Sequence, residues 1–169
     1  MRIKSILIGL LIVTSAVMQV EASGSLSNAE AMFIYNFLRH VNWPDASNGE
    51  TFVIGIYGDN QVFEQLQRFT ANRKVGMKNI VVRNITTAND ASVCQLVFVP
   101  ESQTSKITEI RNKLGNQACL VVSEREGTLA SGSTIEFVIV ENKLKFRISE
   151  ERAKQQNLMI SKALLDMAV

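Results

Sequence analysis

The stretch TFVIGIY, from Thr51 to Tyr57, indicates the fold class of this chain. β-branched and aromatic residues fill it without polar alternation, which predicts a strand that is buried on both faces. Gly58-Asp59 turns the chain after it, and the next ten residues carry their apolar side chains at helical spacing. A buried strand followed directly by an amphipathic helix is the basic unit of an α/β protein.

The same unit recurs along the chain. Lys74 to Ile85 reads as a second strand and Cys94 to Val99 (CQLVFV) as a third. A helix is predicted over Ser102 to Leu114, where Gly115 stops it, and a fourth strand follows over Ala118 to Val122. Continuously apolar strands that alternate with helices predict a parallel sheet covered on both faces.

The pattern changes near the carboxyl terminus. Ile135 to Val140 and Lys143 to Ile148 are strand-like and are separated by Glu141-Asn142 alone, which predicts a β-hairpin. The predicted fold is therefore α/β, a single domain with a mainly parallel central sheet, helices on both faces and a C-terminal antiparallel hairpin.

The first 22 residues read as a secretory signal peptide. Arg2 and Lys4 precede an apolar run over residues 6–18, and small residues at Val20 and Ala22 predict cleavage before Ser23. A retained membrane anchor is the alternative, but the run is shorter than the ~20 residues that a bilayer requires. Residues 23–169 then form the mature domain, and the predicted location is the periplasm.

Charge and cysteine content narrow the classes of function. Loss of Arg2, Lys4 and Glu21 lowers the net charge from +2 to +1, and no basic cluster indicates nucleic acid as a partner. In an oxidising compartment the two cysteines, Cys94 and Cys119, favour a disulfide, since each opens a strand and the two strands are predicted neighbours. A pair of buried free thiols is the alternative, and no metal site is predicted.

Residues 33–44, FIYNFLRHVNWP, hold four aromatic residues, the only His and the only Trp. Ser27 and Glu30 have the spacing of a capping box, which predicts that a helix starts there and ends at Trp43-Pro44. Its apolar stripe is predicted to be core and comprises Phe33, Ile34, Phe37, Leu38 and Val41. The other faces carry Tyr35, Arg39, His40 and Trp43, and these four are the candidates for contact with a partner.

Polar residues that follow the strands offer a second candidate site. Gly58, Asp59 and Ser123 come at the carboxyl ends of predicted strands, where α/β sheets bind ligands. The three residues are therefore candidates for a small-molecule crevice. Ordinary turn and cap formation is the alternative explanation of the same residues.

Catalytic signatures are missing from the sequence. It contains no G-x-S-x-G, no phosphate-binding loop, no G-x-G-x-x-G and no H-E-x-x-H. His40 is the sole His, so a general-base mechanism at neutral pH would depend on that one residue. No catalytic residue and no cofactor are predicted, and a hydrolase is the least favoured hypothesis.

The opening helix resembles that of the YfiR/HmsC-like periplasmic family. Residues 29–44, AEAMFIYNFLRHVNWP, are similar to the family's K-A-A-F-I-Y-N-F-x-x-F-x-x-W-P run, although Glu30 and Met32 replace Lys and Ala. Five further segments resemble the family and occur in the same order as there. They are the strand ending at Gly58-Asp59, the strand that begins at Cys94, Leu120 to Ser123, Lys145 to Ile148, and Asn157 to Leu165.

The resemblance implies a non-enzymatic regulator. Such a protein binds the periplasmic sensor region of an inner-membrane signalling protein, a diguanylate cyclase, and represses it, which affects cyclic-di-GMP and biofilm formation. A periplasmic small-molecule binding protein is the alternative hypothesis. The sequence leaves open the identity of the partner, the stimulus and whether the protein is a homodimer.

Overall fold

The computed structural model describes residues 24–44, 50–58 and 60–169. The predicted signal peptide and Asp59, one of the crevice candidates, lie outside these residues. Within them the chain forms five helices, α1 to α5, and nine strands, β1 to β9. In chain order they are α1 (24–40), β1 (Val41–Asn42), β2 (Thr51–Tyr57), α2 (Asn60–Thr70), β3 (Lys74–Val75), β4 (Lys78–Ile85), β5 (Leu96–Val99), α3 (Ile107–Leu114), β6 (Leu120–Ser123), β7 (Ile135–Val140), β8 (Lys143–Ile148), α4 (Glu150–Gln155), β9 (Met159–Ile160) and α5 (Lys162–Leu165).

The central sheet has seven strands in the order β3-β4-β2-β5-β6-β7-β8. The pairs β4–β2, β2–β5, β5–β6 and β6–β7 are parallel, whereas β3–β4 and β7–β8 are antiparallel. The prediction of a single α/β domain with a C-terminal antiparallel hairpin is confirmed. The prediction of a mainly parallel sheet is not confirmed, because the sheet is mixed and ends in an antiparallel pair at each edge.

Apolar clusters cover the two faces of this sheet. Side chains of β2 alternate between them, with Phe52 and Ile54 in the first cluster and Val53 and Tyr57 in the second. Helices α1, α2, α4 and α5 contribute to the first cluster, and α3 contributes to the second. This two-sided burial explains why β2 lacks the polar alternation of a strand with one wet face.

Helix α1 differs from its prediction at both ends. It extends from residue 24, so Ser27 is inside the helix rather than at its cap, and the Ser27 hydroxyl donates to Gln61 Oε1 at 3.2 Å. The helix ends at residue 40, because Val41 and Asn42 form β1 and pair with Ile160 and Met159 of β9. The predicted apolar stripe is buried as expected, with Phe33 partly exposed at its edge.

The predicted strand over residues 74–85 is two strands. Gly76 and Met77 turn the chain between β3 and β4, and Gly76 has a φ of 58°, a left-handed conformation that glycine adopts without strain. The predicted helix over residues 102–114 likewise begins as a 3-10 turn over Glu101–Lys106 before α3. The last two helices begin at serine caps, since Ser149 accepts from Arg152 N and Ser161 accepts from Leu164 N.

Candidate functional site

Tyr35 lies on the outer side of α1 but is not free to meet a partner with its whole ring. Its hydroxyl accepts a hydrogen bond from Arg73 Nη1 at 2.8 Å. The Arg73 guanidinium also lies 4.8 Å from the centre of the Tyr35 ring, within the range of a cation–π contact. The pair joins α1 to the loop between α2 and β3, so Tyr35 has a structural role whether or not it also binds.

Arg39 and His40 form an accessible surface together with β9. Arg39 is exposed and His40 is partly exposed. His40 Nδ1 lies 3.2 Å from Ser161 Oγ, and Ser161 N donates to the His40 carbonyl at 2.8 Å. A shallow cavity of about 300 Å³ lies here, lined by the end of α1 and by the paired strands β1 and β9. The side chain of Met159, one of its lining residues, is 55% exposed. We call Arg39, His40, Asn42 and Met159 the α1–β9 surface.

Trp43 is part of the core and not of this surface. Its side chain is 5% exposed and stands edge-on to Phe52, with the ring centres 4.9 Å apart. Its indole N–H donates to the Gln95 carbonyl at 2.9 Å. The expectation that Trp43 contacts a partner is therefore corrected: α1 ends before it, so the extended chain turns the ring inward instead of leaving it on the outer helix side.

The residues proposed for a crevice at the carboxyl ends of the strands do not come together as one. Gly58 is exposed with a φ of 74°, which fits a turn, and Asp59 is outside the described residues. Ser123 is fully buried, and its hydroxyl lies 2.7 Å from Thr128 Oγ1. Glu136 joins the same polar cluster by accepting from Leu129 N at 3.0 Å. Ser123 therefore organises the loop that follows β6 and does not line a crevice.

A different cavity occupies that edge of the sheet. It has a volume of about 320 Å³ and an apolar floor that includes Leu26 and Phe137. Glu101, Glu124 and Glu126 are on its rim. This cavity lies at the carboxyl ends of the strands, where polar residues were expected. The polar residues on it are carboxylates, however, and not Gly58 or Ser123.

Cys94 and Cys119 are both buried and both carry free thiols, so the predicted disulfide is absent. Cys94 lies after a 3-10 turn and before β5, with its sulfur packed against Gly55 and 3.4 Å from the Asp90 carbonyl. Leu96 pairs with Leu120, and the same register carried back places Cys94 level with residue 118 and not with Cys119. Burial raises the pKa of the Cys94 thiol to about 11 and that of Cys119 well above its usual range, which keeps both protonated.

A further cavity, of about 710 Å³, lies at the opposite edge of the sheet. It is surrounded by β1, by the start of β2 and by the β3–β4 turn. Its apolar lining residues include Trp43, Phe52, Val75 and Met77. The sequence prediction of one continuous strand over residues 74–85 leaves no place for this cavity. Gly76, in the middle of Lys74-Val75-Gly76-Met77-Lys78, is the sign of a turn there.

The part of the chain that the structure describes has neither a metal-binding cluster nor a membrane-spanning helix. No group of three or more His, Cys, Asp or Glu side chains there could hold a metal ion. None of the helices in the same residues is long and apolar enough to cross a membrane.

Comparison with known proteins identifies the family. A search of the curated proteins found no matching relative. The family model described as YfiR/HmsC-like matches residues 27–169, which span α1 through α5. The resemblance seen in the opening helix thus extends over nearly the whole sequence, and the chain belongs to the YfiR/HmsC-like family.

Proposed function

We propose that this protein is a non-enzymatic periplasmic regulator that binds and represses a membrane diguanylate cyclase. The family match over residues 27–169 is the observation that carries the proposal. The family is regulatory, is not known as enzymatic, is periplasmic in general and is known for interaction with a membrane signalling protein. Repression of a cyclase lowers cyclic-di-GMP and thereby biofilm formation.

Export to the periplasm is part of the same proposal. The basic start, apolar run and small residues of positions 1–22 support a cleaved signal peptide. Amino-terminal sequencing of protein recovered from the periplasm is expected to begin at Ser23. An intact Met1 on the mature protein would contradict cleavage.

The surroundings of the single His support a role without catalysis. His40 Nδ1 is within hydrogen-bonding distance of Ser161 Oγ, as in a base–nucleophile pair. The same hydroxyl oxygen, however, accepts from Leu164 N and caps α5, which places it at a helix terminus and ties it to structure. We propose that the pair fastens α1 to the carboxyl-terminal segment.

We assign the partner contact to the α1–β9 surface. Arginine is among the residue types that dominate binding energy at interfaces, and Arg39 is exposed there. Met159 adds a flexible apolar side chain that adapts to different partner shapes. Trp43 has no part in the contact because its ring is buried, and the Tyr35 hydroxyl is already bound to Arg73.

The test measures cellular cyclic-di-GMP and crosslinked capture of the cyclase in cells that carry Arg39→Ala. Loss of a central contact costs ~2 kcal/mol, roughly thirty-fold in affinity, so repression and capture should both fall. Lys113→Ala is the matched control, because Lys113 is also an exposed cation on a helix but α3 lies on the opposite face of the sheet. If both variants capture the cyclase like the parent protein, the contact is elsewhere. If the parent protein captures no cyclase at all, the proposed function is wrong.

A further inference from the structure

The 710 Å³ cavity has the size of a small-molecule site. Ligand pockets of proteins measure roughly 300–1,000 Å³ and are mostly apolar with a few polar groups. This cavity lies at the edge of the sheet where β2 and β4 begin, away from the α1 residue Arg39 and from the loops that follow the strands. It adjoins the α1–β9 surface, with which it shares Asn42, and it is separate from the crevice first expected from the sequence.

One fixed aromatic ring, backed by a second, forms part of its wall. Trp43 is 5% exposed, and Phe52, which has no accessible surface, lies behind it with the two rings nearly perpendicular at 84°. The Trp43 N–H is already bound to Gln95, so this side chain offers the cavity only the small exposed part of its apolar ring. A side chain held in this way loses little conformational entropy when a ligand contacts it.

The β3–β4 turn forms the opposite side and carries an exposed methionine. Met77 is 88% exposed and lines the cavity. It stands at the turn after Gly76, on a two-residue connection between β3 and β4. A methionine so placed can fold over a bound molecule and bury its own thioether at the same time.

Polar groups on the rim limit the chemistry of the ligand. Glu50 and Lys78 contribute one charge of each sign, and Asn42 and Asn79 contribute amides that both donate and accept hydrogen bonds. Among the described residues, the rim therefore has no net charge with which to select an anion or a cation. We propose that this cavity binds an uncharged, mainly apolar small molecule with a hydrogen-bonding group, and that Met77 closes over it.

The single Trp provides a direct measurement. N-phenyl-1-naphthylamine is a neutral, flat, apolar probe with one N–H group, and it absorbs where tryptophan emits. Because Trp43 is the only Trp of the chain and lines the cavity, binding there should quench its emission saturably while the emission of the probe rises. The titration uses the purified mature protein and needs no membrane partner, so it is independent of the proposed function.

A comparison of the Met77→Glu and Met167→Glu variants shows where the probe binds. Both methionines are exposed, so both variants should stay folded, but only Met77 lines the cavity. A carboxylate at the mouth should weaken the probe's affinity at least about fivefold in Met77→Glu, whereas Met167→Glu should match the parent protein. The absence of saturable quenching, or equal affinities in the two variants, would overturn the proposal.

Discussion

The side chain of Trp43 and the main chain of Gln95 are joined by a hydrogen bond of 2.9 Å, although the two residues are 52 positions apart. Gln95 also receives two strand hydrogen bonds. Its side-chain Oε1 accepts from Val53 N at 2.7 Å, and its carbonyl accepts from Leu120 N at 2.9 Å. One residue ahead of β5 thus connects β2, β6 and the segment after α1.

We expect Gln95→Ala to destabilise the protein by ~1–3 kcal/mol, because Val53 N would lose its acceptor inside the sheet. Gln95→Glu keeps an acceptor oxygen at the same place and should cost less at neutral pH. Urea denaturation of the two variants gives the comparison. Equal losses in both would show that the side-chain oxygen is not what holds Val53.

The ring of Phe37 should be needed for folding and the side chain of Arg39 only for binding. Phe37 is fully buried, with its ring centre 5.1 Å from that of Phe146, so Phe37→Ala should cost ~3–5 kcal/mol. Arg39→Ala should change the free energy of unfolding by less than ~0.5 kcal/mol, because the side chain is exposed. Thermal melts of both variants check the contrast, and a large loss in Arg39→Ala would mean that its effect on repression reflects unfolding.

The two thiols should make stability fall at alkaline pH. A thiol in an unfolded chain ionises near pH ~8.5, whereas burial raises the pKa of Cys94 to about 11 and that of Cys119 further in the same direction. The unfolded state therefore loses these protons first, and the stability present below pH ~8 is lost as the pH rises towards about 11. The full loss from Cys94 is ~3 kcal/mol, of which ~2 kcal/mol falls below pH 10.

Urea denaturation between pH 7 and pH 10 measures this slope, with the Cys94→Ala, Cys119→Ala double variant as the control for other titrating groups. The control should fall less steeply than the parent protein. Thiol labelling of denatured, unreduced protein should find two thiols, since both are free in the structure. Labelling of neither would mean that the originally predicted disulfide forms after all.

A substitution in the turn between β7 and β8 should raise the stability of the protein. Glu141 and Asn142 have φ values of 51° and 58°, the left-handed pair that a two-residue hairpin turn requires. Asparagine tolerates this conformation and glutamate does so poorly, so Glu141→Asn should raise the free energy of unfolding by ~0.5–1 kcal/mol. Asn142→Ala at the neighbouring position should lower it by ~1 kcal/mol. Calorimetry on both variants measures these changes in stability. A lower stability of Glu141→Asn would show that the Glu141 side chain makes a favourable contact.

Much of the fold could be predicted because its longer strands are apolar or strand-like in composition and are bounded by polar turn residues. The bounds of β2, β7 and β8 agree with the sequence prediction to the residue. The two-residue strands β1 and β9 could not be predicted, since two residues show no periodicity and their pairing depends on a contact distant in sequence. One of the two antiparallel edges of the sheet was missed for the same reason, because β3 is equally short, whereas the other is the predicted β7–β8 hairpin.

The candidate site was predicted less well, for a related reason. Arg39 and His40 lie in a helix, where spacing determines which side chains point outward, and both are accessible. Trp43 lies beyond the helix end, where helical spacing no longer applies, and its ring is in the core. The end of α1 depends on the pairing of Val41 with Ile160, which local sequence does not encode.

The pairing of β1 with β9 also determines when the α1–β9 surface can exist. His40 and Ser161 are 121 positions apart, so the surface needs two segments that leave the ribosome at very different times. A chain still being synthesised has Arg39 but lacks Met159 beside it. If the α1–β9 surface is the contact for a partner, an unfinished chain has no complete binding face, and only molecules that have finished folding can bind.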